Sequence, residues 1–356
     1  MSSAIALAPV HSRELSPLDE KKTSRQFGTE NRCALSYHRL MNPQRLSLLQ
    51  CPRCRGGMEL SGDPSQAICC LSCAASYPVI RGVPRLAGDT YAASFGRQWN
   101  RYDVARTEED EATFEVKTGV APTTLAGKLV LDAGCGGGRY ARLAGSHGAS
   151  VIGVDLSAAV EKAATLCAGL PSVVIAQADL LDLPLADAAF DLVFSIGVLH
   201  HTPDPRRAFA QIARKVKPGG RLAVWLYRRN TMVQEWLNNA LRSVSTRLPP
   251  RVLEPLCAGL GVLGSVPLVN RTLNKIANFS SHPDWTLRVC DNFDWYAPRY
   301  QSHHTLAELK SWFAEEGFDD LTELLPAKAG ALYDWAFHHN LLIGSGVNVA
   351  GTRRAD

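Results

Sequence analysis

Glycines and carboxylates at fixed spacing carry the chemistry of this chain. Leu129-Val-Leu-Asp-Ala-Gly-Cys-Gly-Gly-Gly-Arg-Tyr140 reads as a buried strand, an acid at its end, a glycine-rich turn and the start of a helix. Asp155 ends the next apolar run, 23 positions after Asp132, and Asp179 follows the third, in Gln177-Ala-Asp-Leu180. A glycine turn lets the backbone approach a ligand closely, and the helix behind it offers free N–H groups and a positive dipole end. Those groups suit a carboxylate. An acid closing the second strand can accept both hydroxyls of a ribose, and one after the third can accept from an adenine amino group. Together they predict a pocket for a nucleoside-bearing cofactor with an amino-acid-like end.

A dinucleotide is the competing ligand. G-x-G-x-x-G fails from Gly134, because Arg139 holds the last position, but G-x-G-x-x-A runs from Gly136 to Ala141. Asp132 has no role at a pyrophosphate, however, and Asp179 suits adenine. Three acids at three successive strand ends favour S-adenosylmethionine, with Gly134 and Gly136 against its carboxylate and Asp132 on the side of its amino group.

Cysteines form the second constellation. Cys51-Pro-Arg-Cys54 and Cys70-Leu-Ser-Cys73 are separated by fifteen residues. Each pair can turn two thiolates inward, and four thiolates satisfy tetrahedral zinc. So short a segment lacks a core of its own, so a structural zinc is expected to carry its stability. The other cysteines of the ten are scattered, which reads as a metal site in a reducing compartment, not a disulfide framework. The net charge of +4 does not demand nucleic acid. Ala4 to Val10 is a short apolar run without a preceding positive charge, and no apolar run is long enough to span a bilayer. A cytoplasmic location is the resulting expectation.

These residues need a scaffold. From residue 128, strand-like runs at 128–132, 150–154, 172–177, 190–196 and 221–227 alternate with helical stretches at 138–147, 157–168 and 204–216. Such alternation predicts an α/β fold whose parallel sheet is covered on both faces. Lys217-Pro-Gly-Gly220 is expected as a turn. Thr305 to Gly317 reads as a capped helix, with strands near 318–324 and 338–350 completing the sheet. The organisation predicted is a disordered segment over 1–45, a zinc ribbon over 46–88, linker and cofactor-lid helices over 89–127, and a catalytic domain over 128–356 with a substrate insert at 228–300.

Residues 128–227 resemble the class I S-adenosylmethionine-dependent methyltransferases, in particular the ubiquinone- and sterol-type small-molecule branch. The likeness rests on Val130 to Gly138, Gly153-Val-Asp-Leu-Ser157, Phe190-Asp-Leu-Val-Phe194, Val198-Leu-His-His201 and Lys217-Pro-Gly-Gly220. It implies a Rossmann-like, mostly parallel sheet of seven strands with the last antiparallel. It also extends the cofactor set to Cys135, Leu156, Leu180 and Ser195, and it places the His200-His201 loop beside the reacting methyl. The ribbon, with Tyr77 to Leu86, resembles the small zinc-ribbon proteins that activate methyltransferases, here fused to a catalytic domain.

Methyl transfer needs alignment and, for some acceptors, a base. His201, Asp294 and His304 are the candidates, the last two in an aromatic-rich segment, Asp291 to His304, expected as a pocket wall. Trp99 or Tyr102 could face the sulfonium. A small-molecule acceptor, of a hydrophobic or isoprenoid-like kind, is the leading expectation. RNA is the alternative, disfavoured by Cys73 where RNA-directed ribbons use histidine and by the absence of a basic stripe. A non-catalytic partner is disfavoured by an intact set of Asp132, Gly134, Gly136 and Asp155. The apolar stretch Val252 to Leu268 contains Pro and Gly, which argues against a membrane span but leaves contact with a bilayer surface open.

Overall fold

The computed structural model describes residues 43–62, 67–88, 91–92, 95–96, 107–266, 279–324 and 346–355. Residues 1–42, Trp99, Tyr102 and the first part of the strand expected at 338–350 lie outside the described residues.

The cysteine-rich segment forms an antiparallel sheet of β1 (Met58–Ser61), β2 (Ala67–Cys70), β3 (Ser76–Ile80) and β4 (Val83–Pro84). The larger sheet is built on β5 (Leu129–Ala133), β6 (Ser150–Asp155), β7 (Val173–Gln177), β8 (Phe190–Ile196) and β9 (Val216–Tyr227), all parallel. β10 (Phe318–Glu323) and β11 (Gly346–Arg353) complete seven strands in the order β10-β11-β9-β8-β5-β6-β7. Only β11 opposes the rest. Val130, Val151 and Val173 are fully buried, as strands covered on both faces require. The chain winds outward from β5 through β6 to β7, then returns to β8 on the other side of β5. Ligands of such sheets bind at this switch point, beyond the strands' carboxyl ends.

The faces are covered by α1 (Thr107–Thr118), α2 (Arg139–Ser146), α3 (Val160–Leu166) and α4 (Pro205–Ala213). Among the described residues, three insert helices follow β9, namely α5 (Met232–Ser245), α6 (Pro250–Gly264) and α7 (Trp285–Tyr296). The expected capped helix is α8 (Leu306–Glu315). Its first turn is closed by a capping box in which Glu308 N–H donates to Thr305 Oγ1 at 3.2 Å and Thr305 N–H donates to Glu308 Oε2 at 3.4 Å.

One expectation needs correction, and three further features go beyond the sequence reading. Lys217-Pro-Gly-Gly220 is not a free turn; it lies inside β9, where pairing slips from Phe190–Val216 to Leu192–Arg221. Pro218 cannot donate to a ladder and Gly219 admits a φ of 71°, so the extra residues bulge without ending the strand. The segment Asp291 to His304 is helical as far as Tyr296, because Asp284 caps the first turn by accepting from Leu287 N–H at 3.0 Å. α1 is not a lid over the cofactor pocket: Phe114 packs edge-on to Phe194 at 5.2 Å and buries the helix against the sheet. Finally, the ribbon shares hydrogen bonds and core with the larger sheet. Leu86 N–H donates to Gln177 O, Gln50 N–H to Pro184 O and Ala186 N–H to Leu48 O, each at 2.9 Å. Met58, Ile68, Cys70 and Leu86 share one buried cluster with Leu180, Leu183 and Leu185. The ribbon's few apolar side chains make a core only by borrowing that of the larger sheet.

Candidate active site

The glycine turn takes its shape from backbone conformations that side chains resist. Gly134, Gly136 and Gly138 have φ of 91°, 49° and 86°. A Cβ on Gly134 would lie 2.4 Å from the methyls of Val198, so the turn also needs glycine to pass under the loop after β8. Asp155 ties the turn to the second strand: its Oδ2 accepts Gly136 N–H at 2.9 Å, and its Oδ1 accepts Ser157 N–H at 2.8 Å and Ser157 Oγ–H at 2.7 Å.

Beside this turn opens a cavity with about 610 Å³ of empty space, counting its mouth. Gly134, Asp155, Leu156 and Leu180 line it, as do His201 and Asp294. Its remaining wall includes Tyr91, Phe95, Ile196, Val198 and Thr202. Tyr91 matters most among residues that sequence reasoning left in the linker. Its hydroxyl donates to Asp179 Oδ1 at 2.9 Å, an oxygen that also accepts Leu181 N–H at 2.9 Å. The four-residue spacing of Tyr91 and Phe95 was the available signal for a shared role.

The remaining cofactor candidates do not line this cavity. Gly136 and Cys135 shape the turn, and burial pushes the Cys135 thiol well up. Ser195 is buried and donates to Ala133 O at 2.8 Å, which joins β8 to the end of β5. Asp132 is buried with its Oδ2 unpartnered. Burial first, and the Asp155 charge second, push its carboxyl up to about 8. An unpartnered buried carboxylate oxygen fits a site awaiting a cation such as an ammonium group.

The raised Asp132 value has a consequence for stability. Between pH 4 and 8 the unfolded chain gives up this proton while the folded chain keeps it, so folding is disfavoured progressively as pH rises through that window. In Asp132→Asn this slope should vanish, with a gain on the order of 5 kcal/mol at pH 8 and little change at pH 4. Denaturant unfolding of both proteins across the window measures it; parallel pH profiles would be incompatible with a buried, proton-retaining Asp132.

The two adjacent histidines differ. His200 is fully buried and stacks on Tyr227 with 3.9 Å between ring centroids. Its Nδ1 accepts Tyr227 N–H at 3.2 Å, and burial pushes its pKa well below 6.5, so it stays neutral and structural. His201 faces the cavity. Its Nδ1 lies 3.1 Å from Tyr300 O, and a carbonyl only accepts, so Nδ1 carries the proton. Its Nε2 lies 3.4 Å from Asp294 Oδ2. Tyr227 OH donates to the same Asp294 oxygen. His304 does not join them: Ser302 Oγ at 2.8 Å and Glu308 Oε1 at 3.1 Å occupy its two ring nitrogens, and it packs on Trp312. Its place as a candidate base is therefore corrected to a structural one.

A second cavity of about 580 Å³ adjoins the insert, lined by Trp225, Tyr227, Arg228, Asp291, Trp295 and His303 among others. Tyr227 thus lines this cavity and gives its hydroxyl to Asp294, which lines the first.

In the ribbon, the Sγ atoms of Cys51, Cys54, Cys70 and Cys73 lie within 4.8 Å of one another. Cys51–Cys73 and Cys54–Cys70 approach to 3.6 and 3.4 Å. Tetrahedral zinc with bonds of about 2.3 Å sets its sulfurs about 3.8 Å apart, so the cluster fits that ion. Arg55 and Ala74, each just after a pair, take φ of 63° and 56°, which turns each Cys-x-x-Cys back toward the centre.

Comparison with known proteins follows the same lines. Residues 131–224 match the family model described as a methyltransferase domain. An O-methyltransferase of Aspergillus sclerotiorum is 39% identical over 128 residues, covering 32% of this chain and 48% of that protein. The 27-O-demethylrifamycin SV methyltransferase of Amycolatopsis mediterranei is 38% identical over 129 residues, covering 33% and 47%. A ubiquinone biosynthesis O-methyltransferase of Alkalilimnicola ehrlichii is 39% identical over 109 residues, covering 30% and 44%. The chain spans just under half the length of each of these relatives. The match places a methyltransferase domain over residues 131–224, on the sheet that carries the glycine turn.

Proposed function

We propose that this protein is an S-adenosylmethionine-dependent methyltransferase acting on a hydroxyl of a small-molecule acceptor. One observation carries the reading: a single cavity brings together the glycine turn, the Asp155 carboxylate and a histidine 3.4 Å from the Asp294 carboxylate. The activities of the relatives, O-methylation among them, favour oxygen as the methyl acceptor.

When bound, S-adenosylmethionine supplies an electrophilic methyl group on a sulfonium. Gly134 and the turn behind it would receive its amino-acid end, with Asp132 toward the ammonium. Asp155 would accept its ribose hydroxyls, and Leu156, Leu180 and Tyr91 would enclose its base. His201 Nε2 takes the hydroxyl proton of the acceptor. The imidazolium so formed has Asp294 as counter-ion, and Tyr227 OH fixes the orientation of that carboxylate. The aromatic second cavity, sharing Tyr227, would house the body of the acceptor. In the ribbon, the four cysteines would hold a structural zinc with no open coordination position.

His201→Gln tests the chemistry. It keeps a side chain that can donate to Tyr300 O but removes the base. Turnover with an accepted small molecule should fall by about 10² to 10⁴, while affinity for S-adenosylhomocysteine changes less than about threefold. Equal losses in turnover and cofactor affinity would make His201 a binding residue and would remove it as the base.

A further inference from the structure

The insert helix α5 is mounted with its polar side inward. Gln234, Asn238 and Arg242, one turn apart, are buried, Gln234 to 1% exposure. Arg242 and Ser245 reach the carbonyls that end α7: Arg242 donates to Trp295 O and, at 2.6 Å, to Pro298 O, and Ser245 Oγ–H donates to Tyr296 O at 2.8 Å. Those carbonyls have no partners within their own helix, so the polar face of α5 is the one that stabilises the fold. The apolar face is left to solvent. Met232 is 89% exposed and Trp236 70%, and Val233 and Val244 flank them. α6 repeats the pattern with different means. Leu253 and Cys257 pack inward on Val289 and Phe293 of α7, while Val252, Leu256, Val262 and Leu263 are exposed.

Scattered exposed apolar residues are ordinary, but two helices that each turn an apolar stripe outward are not. The exposed charges on these helices and their link have one sign. Arg247 and Arg251, at the link between α5 and α6, are exposed. Of the two acids in these helices, Glu235 is held by His303 Nδ1 at 2.6 Å and by Asn230 N–H at 2.7 Å, and Glu254 is half-buried. No described helix is long and apolar enough to cross a membrane.

We propose that the outer faces of α5 and α6 dock on the surface of an anionic phospholipid bilayer. The apolar stripes enter the boundary between headgroups and acyl chains, with Trp236 at headgroup depth, and Arg247 and Arg251 meet lipid phosphates. None of the active-site geometry is needed for this inference. It fits an enzyme that draws a greasy acceptor from a membrane, yet holds for any activity.

Vesicle co-sedimentation of the full-length chain tests it, with phosphatidylcholine vesicles against vesicles carrying a quarter phosphatidylglycerol, at physiological salt. Most of the protein should pellet with the anionic vesicles and little with the neutral ones. Met232→Glu/Trp236→Glu, at solvent-facing positions, should cut pelleting at least tenfold without changing the circular dichroism spectrum or melting temperature. Arg247→Glu/Arg251→Glu should abolish the preference for anionic lipid. Failure of the wild-type protein to pellet with either vesicle, or equal pelleting with both, would overturn the proposal. So would light scattering that shows a dimer dissolved by Trp236→Glu, since a second copy would then be the occupant of this face.

Discussion

Asp155→Ala is expected to weaken S-adenosylmethionine binding by about a hundredfold or more. Two losses combine. The variant lacks the carboxylate that would accept the ribose hydroxyls, and hydrogen bonds to a charged group are worth about 1.5–3 kcal/mol each, so two of them exceed a factor of a hundred. It also lacks the group that holds Gly136 N–H and Ser157 on one carboxylate, so the glycine turn loses its tie to β6. Asp155→Asn separates the two. An amide keeps one acceptor oxygen, so the turn should stay largely tied and the loss should be smaller. Wild-type affinity in Asp155→Ala, measured calorimetrically, would refute the ribose assignment. Removal of the carboxylate should also relieve Asp132, whose carboxyl is held up partly by the Asp155 charge.

Stripping zinc should destabilise the whole molecule, not the ribbon alone. Structural zinc contributes about 10 kcal/mol or more to small isolated modules. Here Cys51 and Cys70 are part of the cluster that includes Leu180, Leu183 and Leu185, directly under the cavity wall. Loss of a metal held by the four cysteines would therefore expose core shared with the larger sheet and loosen Leu180. A chelator, or Cys70→Ser, should lower the melting temperature by about 10 °C, a shift that corresponds to ~3 kcal/mol or more for a domain of this size. It should also reduce cofactor affinity. Thermal denaturation with metal analysis checks it: an unchanged transition after complete removal, or protein purified without chelator that contains no zinc, would rule out a structural metal.

Much of this architecture is legible in local residue patterns. Continuous apolar runs bounded by glycine or acid give the five parallel strands because burial on both faces leaves no polar positions to blur them. Thr305 and Glu308 give the start of α8 because a capping box is a contact between near neighbours. Where sequence reading fails, a distant contact decides. Nothing local tells His201 from His200; the difference is that Tyr300 O takes one ring nitrogen and Tyr227 N–H the other. His304 has the composition of a base but is occupied by Ser302 and Glu308. Tyr91 looks like linker until its hydroxyl meets Asp179, eighty-eight positions away. The helicity of Asp291 to Tyr296 was hidden by a run of aromatics, whose intrinsic preference for helix is weak and whose packing on α6 overrides it.

Calorimetric titration of the wild-type chain tests most directly whether the glycine turn and Asp155 form a methyl-donor site. Titration with S-adenosylhomocysteine, and separately with NAD, should show saturable binding of the first at one site per chain and no heat beyond dilution with the second. Binding of NAD without binding of S-adenosylhomocysteine would contradict the site as a whole.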